Sequence, residues 1–199
     1  MRSTVFRRLA PALLLVALAA SACNTVSNNA ATVNGHGISA DDVADESKVY
    51  LCSEAVGGEL AQRLVGDGDG TFDTSAVAQV LTDRIHLMLL EDRFADDGIE
   101  ISSEDRDAAQ QQLDEGIASL PSSKDKACLT KDFREYFVRQ RAVSAAIQAN
   151  LTQDDLIDIL CDTGARISVT PSYGRWDRSG CRDGSNVGFV EPPAQPEAK

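Results

Sequence analysis

The sequence lacks any apolar run long enough to cross a membrane: the best, residues 9–20, falls short of the roughly 20 residues that a spanning helix needs. Histidine is scarce, with only His36 and His86, and no Cys-x-x-Cys occurs. Both histidines are distant in sequence from every cysteine, so neither a zinc site nor a thioredoxin-like centre is supported, and no metal or cofactor is expected. Basic residues are also few, 19 Lys and Arg against 31 Asp and Glu, a formal charge of −12. Nucleic acid and anionic lipid surfaces need a basic patch that no segment supplies, which excludes both as partners. Nor is there a Ser-His-Asp, Cys-His or metal constellation, so the chain reads as a non-enzyme. Asp154, Asp155 and Asp158 crowd one short helix, but Asp155 is accounted for as a cap and the others as a solvated face. His86 sits inside an apolar stripe, the setting of a satisfied core histidine rather than a general base, and His36 lies in an exposed Gly-rich turn.

What is present begins with export-signal anatomy. Arg2, Arg7 and Arg8 precede the apolar run, which Pro11 alone interrupts, and small residues lead to Cys23. Ala20-Ser21-Ala22-Cys23 resembles a lipobox, with Ala20 where Leu is usual. Residues 1–22 are therefore expected to be removed and Cys23 to carry a fatty-acyl lipid such as palmitate. That lipid would anchor the protein to the cell membrane at its extracytoplasmic face. Losing three arginines and no acid takes the formal charge from −12 to −15. Acidic residues on the outer faces of helices would keep such a protein dispersed.

With Cys23 lipidated, Cys52, Cys128, Cys161 and Cys181 remain, an even number in an oxidising compartment, and two disulfides are expected. Three pairings are open. Cys52 with Cys128 and Cys161 with Cys181 is favoured, because the second pair brackets a short segment with little else to hold it.

Residues 23–30 are polar and small, a flexible tether without fixed structure. One domain is expected over residues 31–180, followed by a partly disordered tail at 181–199 that is rich in Gly, Asp and Pro. Ala31-Thr32-Val33-Asn34-Gly35 alternates into a turn, a short strand. Ser39, with Asp42 three residues on, starts a helix to about residue 65 that Gly57-Gly58 bends or breaks, and residues 66–70 stop it. The Asp-Gly-Asp-Gly run from Asp67 fails the register of a calcium loop, since Phe72 and Ala78 fall where glycine and a bidentate Glu belong.

From residue 73 to 95, Val77, Val80, Leu81, Ile85, Met88 and Leu89 recur at three and four, one stripe of a helix that Gly98 stops. Ser102 with Asp105 caps a largely polar surface helix that Pro121 ends, with Ile101 placed as a staple. A longer helix over 130–150 carries a core face of Phe133, Phe137, Val138 and Ile147, with Arg134, Arg139 and Arg141 pointing elsewhere. Thr152 and Asp155 cap a short helix to about Cys161, and Ile167-Ser168-Val169-Thr170 alternates as a second strand.

Residues 31–42, a short strand Ala-Thr-Val-Asn-Gly followed by Ile-Ser and an acidic helix, resemble the start of the SurA, PrsA and PpiC group of exported foldases. Gly98-Ile99 and Ile101-Ser102-Ser103-Glu104-Asp105 are similar to a helix-starting phrase of that group, and residues 169–177, Val-Thr-Pro-Ser-Tyr-Gly-Arg-Trp-Asp, to its closing segment. The resemblance implies a mainly α, SurA N-terminal-like domain whose small two-stranded sheet pairs the N- and C-terminal segments. Members with prolyl isomerase activity carry a parvulin domain that residues 151–166 leave no room for. The resemblance therefore implies the peptide-binding part alone, with unfolded or extended exported polypeptides as partners. Met88, Phe94, Tyr136 and Phe137 are candidates for an apolar cleft if they are not all core. Tyr173 and Trp176, beside Arg175, could instead anchor one specific envelope partner of a scaffold lipoprotein.

Overall fold

The structure, a computed structural model, describes residues 28–66, 71–182 and 187–194. The signal segment, Cys23, most of the tether, the Asp67 loop and the last five residues lie outside it. Asn34 and Gly35 both take left-handed backbone, φ 52° and 95°. That is the geometry of a two-residue hairpin turn whose twist suits the flanking strands. The turn joins β1 (Asn29–Val33) to β2 (His36–Ser39), and β3 (Ile167–Val169) pairs with the other side of β1, giving an antiparallel sheet of order β2-β1-β3. The pairing of N- and C-terminal segments is as expected, with Ala31 opposite Val169 and Val33 opposite Ile167. The sheet has three strands, however, because the turn folds residues 36–39 back on β1 before the first helix begins.

The tether is shorter than expected. Asn29 and Ala30 belong to β1, where Ala30 is fully buried and its carbonyl accepts a hydrogen bond from the Thr170 amide at 2.9 Å.

The described residues form seven helices: α1 (Ala40–Cys52), α2 (Glu54–Arg63), α3 (Thr74–Asp97), α4 (Ser103–Ser119), α5 (Ser123–Cys128), α6 (Lys131–Asn150) and α7 (Gln153–Leu160). All except α2 start on a Ser, Thr or Asp whose side chain accepts from an amide of the first turn. Such caps satisfy donors that the helix itself cannot. Ser102 with Asp105 and Thr152 with Asp155 form full capping boxes. Gly98 closes α3 in left-handed geometry, φ 68°. The single helix expected over 39–65 is two: it breaks at Ser53, which is fully buried with its hydroxyl donating to Asp125 at 3.0 Å, and kinks again at Gly58, φ 52°.

Helix α3 is the axis of the core. Val80, Leu81, Ile85, Leu89 and Phe94 are buried against β1, Val143 and Ala146 of α6, and Ile159 and Leu160 of α7. A smaller cluster gathers Val49, Leu129 and Phe133, with Tyr50 edge-on to Phe133 at 5.6 Å between centroids. Both cysteine pairs stand at disulfide distance in the favoured pairing, Cys52–Cys128 and Cys161–Cys181, each with Cα atoms 5.6 Å apart.

The tail contains structure as well. Phe189–Glu191 is a strand, β5, antiparallel to β4 (Arg175–Asp177), and Val190 is buried. Two residues one turn apart on α3 dock it: Thr82 Oγ1 accepts from the Val190 amide at 2.9 Å, and His86 Nε2 donates to the Gly188 carbonyl at 2.6 Å. Gly174, at φ 121°, lets the chain cross under β5, where a Cβ would strike the Glu191 carbonyl.

Candidate binding site

On α6, Lys131, Arg134, Glu135, Val138 and Ala142 recur at three and four, so they share one stripe, and the first turns of α4 face it. Between the two helices lies an open groove of about 530 Å³. Ile101, Val138 and Ala142 give it an apolar floor, and Arg106, Lys131, Arg134 and Arg139 ring it. Its two carboxylates are already engaged: Glu91 of α3 makes a two-pronged ion pair with Arg139, and Glu135 meets Lys131 at 3.4 Å. Arg134 Nε donates to the Leu129 carbonyl at 3.2 Å, and neither Arg134 nor Arg106 has an ion-pair partner among the described residues. Arg141, beyond the rim, lies 5.1 Å from the Phe137 ring centre.

This corrects the reading of the sequence on one point. No single segment is basic, but the fold collects cations from α4 and α6 into one patch, and Arg134 and Arg139 share it with Val138. The signal in the sequence was the density of cations over residues 131–141, of which Arg134, Arg139 and Arg141 were read only as pointing away from the core face.

The Arg139–Glu91 pair also lines a second cavity, of about 350 Å³, so it stands as a partition between the two spaces. Here the walls are polar: His36, Asp42 and Arg84 with Met88 and Tyr136. Arg84 is the centre of this cluster. Its Nε donates to Glu46 at 2.6 Å, and its guanidinium carbon stacks 4.4 Å from the Tyr136 ring centre. Tyr50 donates its hydroxyl to the other Glu46 oxygen at 2.8 Å. Burial pushes the Glu46 carboxyl above its ordinary range, against the pull of Arg84 and of the Tyr50 hydroxyl. Burial raises both phenols, and the Tyr136 hydroxyl has no hydrogen-bond partner among the described residues.

The aromatic and Met candidates do not gather in one cleft. Phe94 is 2% exposed and belongs to the core, and Tyr136, at 8%, reaches only the polar cavity. Met88 is half-buried on that same cavity, while Phe137 covers the smaller cluster. Tyr173 and Trp176 pack against the main core, where Trp176 stands edge-on to His86 at 5.8 Å and Gly188 lies against its ring. Burial lowers the His86 pKa, keeping the ring neutral with its Nε2 proton on Gly188. Among the described residues no three His, Cys, Asp or Glu side chains are grouped to hold a metal, and no helix is long and apolar enough to cross a membrane. No family model matches this chain, and no curated protein or solved structure matches it.

Proposed function

We propose that this protein is a membrane-tethered, extracytoplasmic lipoprotein, anchored through Cys23, that binds unfolded or extended polypeptides without catalysis. In this reading it is a chaperone-like domain of the SurA N-terminal type that lacks a parvulin unit. The observation that carries it is the open groove between α4 and α6, where the half-buried Ile101 and Val138, backed by the buried Ala142, line an apolar floor. Weak, repeated apolar contacts along such a groove suit chains with exposed hydrophobic residues and require no reacting group. The two walls of the groove, α4 and α6, pack directly on one another.

The test is whether stoichiometric amounts of the oxidised protein, residues 24–199, suppress aggregation of two unrelated unfolded substrates, with prolyl isomerisation followed alongside. Suppression of both without isomerase activity is the expected result. Suppression of neither rejects the reading and favours a single folded envelope partner, to be captured by crosslinking. A Cys23→Ser variant of the full precursor is expected to lose both lipid labelling and membrane fractionation.

A further inference from the structure

The groove is not merely apolar. In a chain whose acids outnumber its bases by 31 to 19, four cations converge on one cleft, and the two carboxylates there are each bound to one of them. Arg106 and Arg134 are left uncompensated. Resting on the polypeptide-binding reading, we propose that the groove selects extended segments in which apolar residues are interspersed with Asp or Glu, the carboxylates bridging to Arg106 and Arg134 while apolar side chains lie on Ile101 and Val138.

The spacing favours a polypeptide over a single-headed anion. Lys131, Arg134 and Arg139 are distributed over nine residues of α6, roughly 12 Å of helix axis. An extended chain advances about 3.3 Å per residue, so carboxylates three or four positions apart, roughly 10–13 Å, reach the two ends of this row. A fatty-acid anion offers one carboxylate and leaves the others unmatched. The protein's overall negative charge does not prevent such contacts, because at physiological salt charges beyond about 8 Å are screened while the groove cations touch the ligand. It does disfavour long runs of acid, which would extend past the rim onto acidic surface. Bidentate geometry also suits arginine, the residue at both uncompensated positions.

The test uses fluorescein-labelled dodecapeptides of one sequence with Leu at alternate positions and Glu, Gln or Lys at every fourth, titrated by polarisation against the oxidised protein purified after export. The Glu peptide is expected to bind at least tenfold tighter than the Gln peptide, the Lys peptide weakest, and only the Glu peptide to weaken strongly between 50 and 300 mM salt. Joint Arg106→Gln and Arg134→Gln substitutions, which remove no ion pair among the described residues but lose the Arg134 hydrogen bond to Leu129, are expected to weaken the Glu peptide at least tenfold and the Gln peptide far less, with the variant still folded by circular dichroism. Equal binding of Glu and Gln peptides, or indifference to the double substitution, overturns the selectivity and leaves polypeptide binding standing. Binding of no peptide while aggregation is still suppressed overturns this site alone. Binding of no peptide with no suppression removes both readings, and laurate binding without any peptide binding overturns the proposal in favour of a lipid anion.

Discussion

Replacing Arg84 by Met tests the buried cluster at the heart of the fold. Glu46 is 2% exposed and Arg84 15%, so the pair is out of water, and removal of one partner strands the other. Losing the partner of a buried charge costs about 3–5 kcal/mol. Linkage gives an independent figure. Without Arg84, Glu46 folds protonated, while in the unfolded chain it titrates near 4.3. Holding the proton costs about 1.4 kcal/mol for each pH unit above that value, ~3.7 kcal/mol at pH 7 and ~1.6 kcal/mol at pH 5.5. The sign follows from the folded pKa lying above the unfolded one: stability is full at low pH and is lost as pH rises through the window. Loss of the stacking on Tyr136 adds about 1 kcal/mol at either pH. Urea unfolding followed by circular dichroism, disulfides intact, is therefore expected to show a large deficit at pH 7 that shrinks at pH 5.5 by at most roughly 2 kcal/mol, since the wild-type Glu46 carboxyl is itself raised and already loses part of this. Glu46→Gln combined with Arg84→Met is expected to remove the pH dependence and to recover most of the loss, since the amide oxygen introduced at that position still accepts from Tyr50. A deficit under about 1 kcal/mol that ignores pH would refute the reasoning, because Glu46 would then be solvated whenever Arg84 is absent.

Tyr136→Phe removes a buried hydroxyl that has no partner among the described residues while keeping the ring under Arg84, so thermal melting is expected to show unchanged stability or a gain of up to about 1 kcal/mol. His86 titrates below its unfolded value of about 6.5, so it contributes stability above that pH and loses it as pH falls; the difference between wild type and His86→Gln, measured by urea unfolding from pH 7.5 to 5, should narrow on acidification. The two cross-links close loops of 76 and 20 residues, for which chain entropy gives about 4.5 and about 3.3 kcal/mol. Paired Cys→Ser variants are expected to rank accordingly in urea midpoint, with loss at the Cys52–Cys128 pair the larger.

What the sequence showed best was whatever is encoded within a few residues. Ser102 with Asp105 and Thr152 with Asp155 are caps readable at a spacing of three, and the α3 stripe is long enough for its period to be unmistakable. β1 and β3 alternate clearly, and their pairing was what the resemblance to the exported foldases implied. β2 was missed because His36 and Gly37 have little strand preference and are extended only by pairing with Val33 and Thr32. The break at Ser53 is a tertiary event, set by the Asp125 contact and the neighbouring cross-link at Cys52. α5 hides in a polar stretch that reads as loop, although Ser122 and Asp125 repeat the capping spacing found elsewhere. β5 is three residues between Gly and Pro, recognisable only through Thr82 and His86, which reach it from a helix far back in the chain. The groove is less legible still, since Arg106 and Arg134 meet only after α4 and α6 pack together.

The acidic composition, read from the sequence as a solubility device, has a second explanation in the structure. Asp73 caps α3, Asp125 and Asp155 bind the hydroxyls of the residues that cap α5 and α7, and Asp177 holds the turn at Ser179. Hydrogen bonds hold all four carboxyls below the ordinary range. They contribute stability above their unfolded pKa values and lose it as pH falls through the depressed ones, so they place strain on the fold only in strong acid. Acids used this way bind backbone amides and hydroxyls at helix starts and turns, and each also feels a cation of its own, Arg63, Lys124, Arg93 and Arg175. None of the four lines the groove, whose own acids, Glu91 and Glu135, pair with Arg139 and Lys131, and so within a strongly acidic chain Arg106 and Arg134 stand without an ion-pair partner among the described residues.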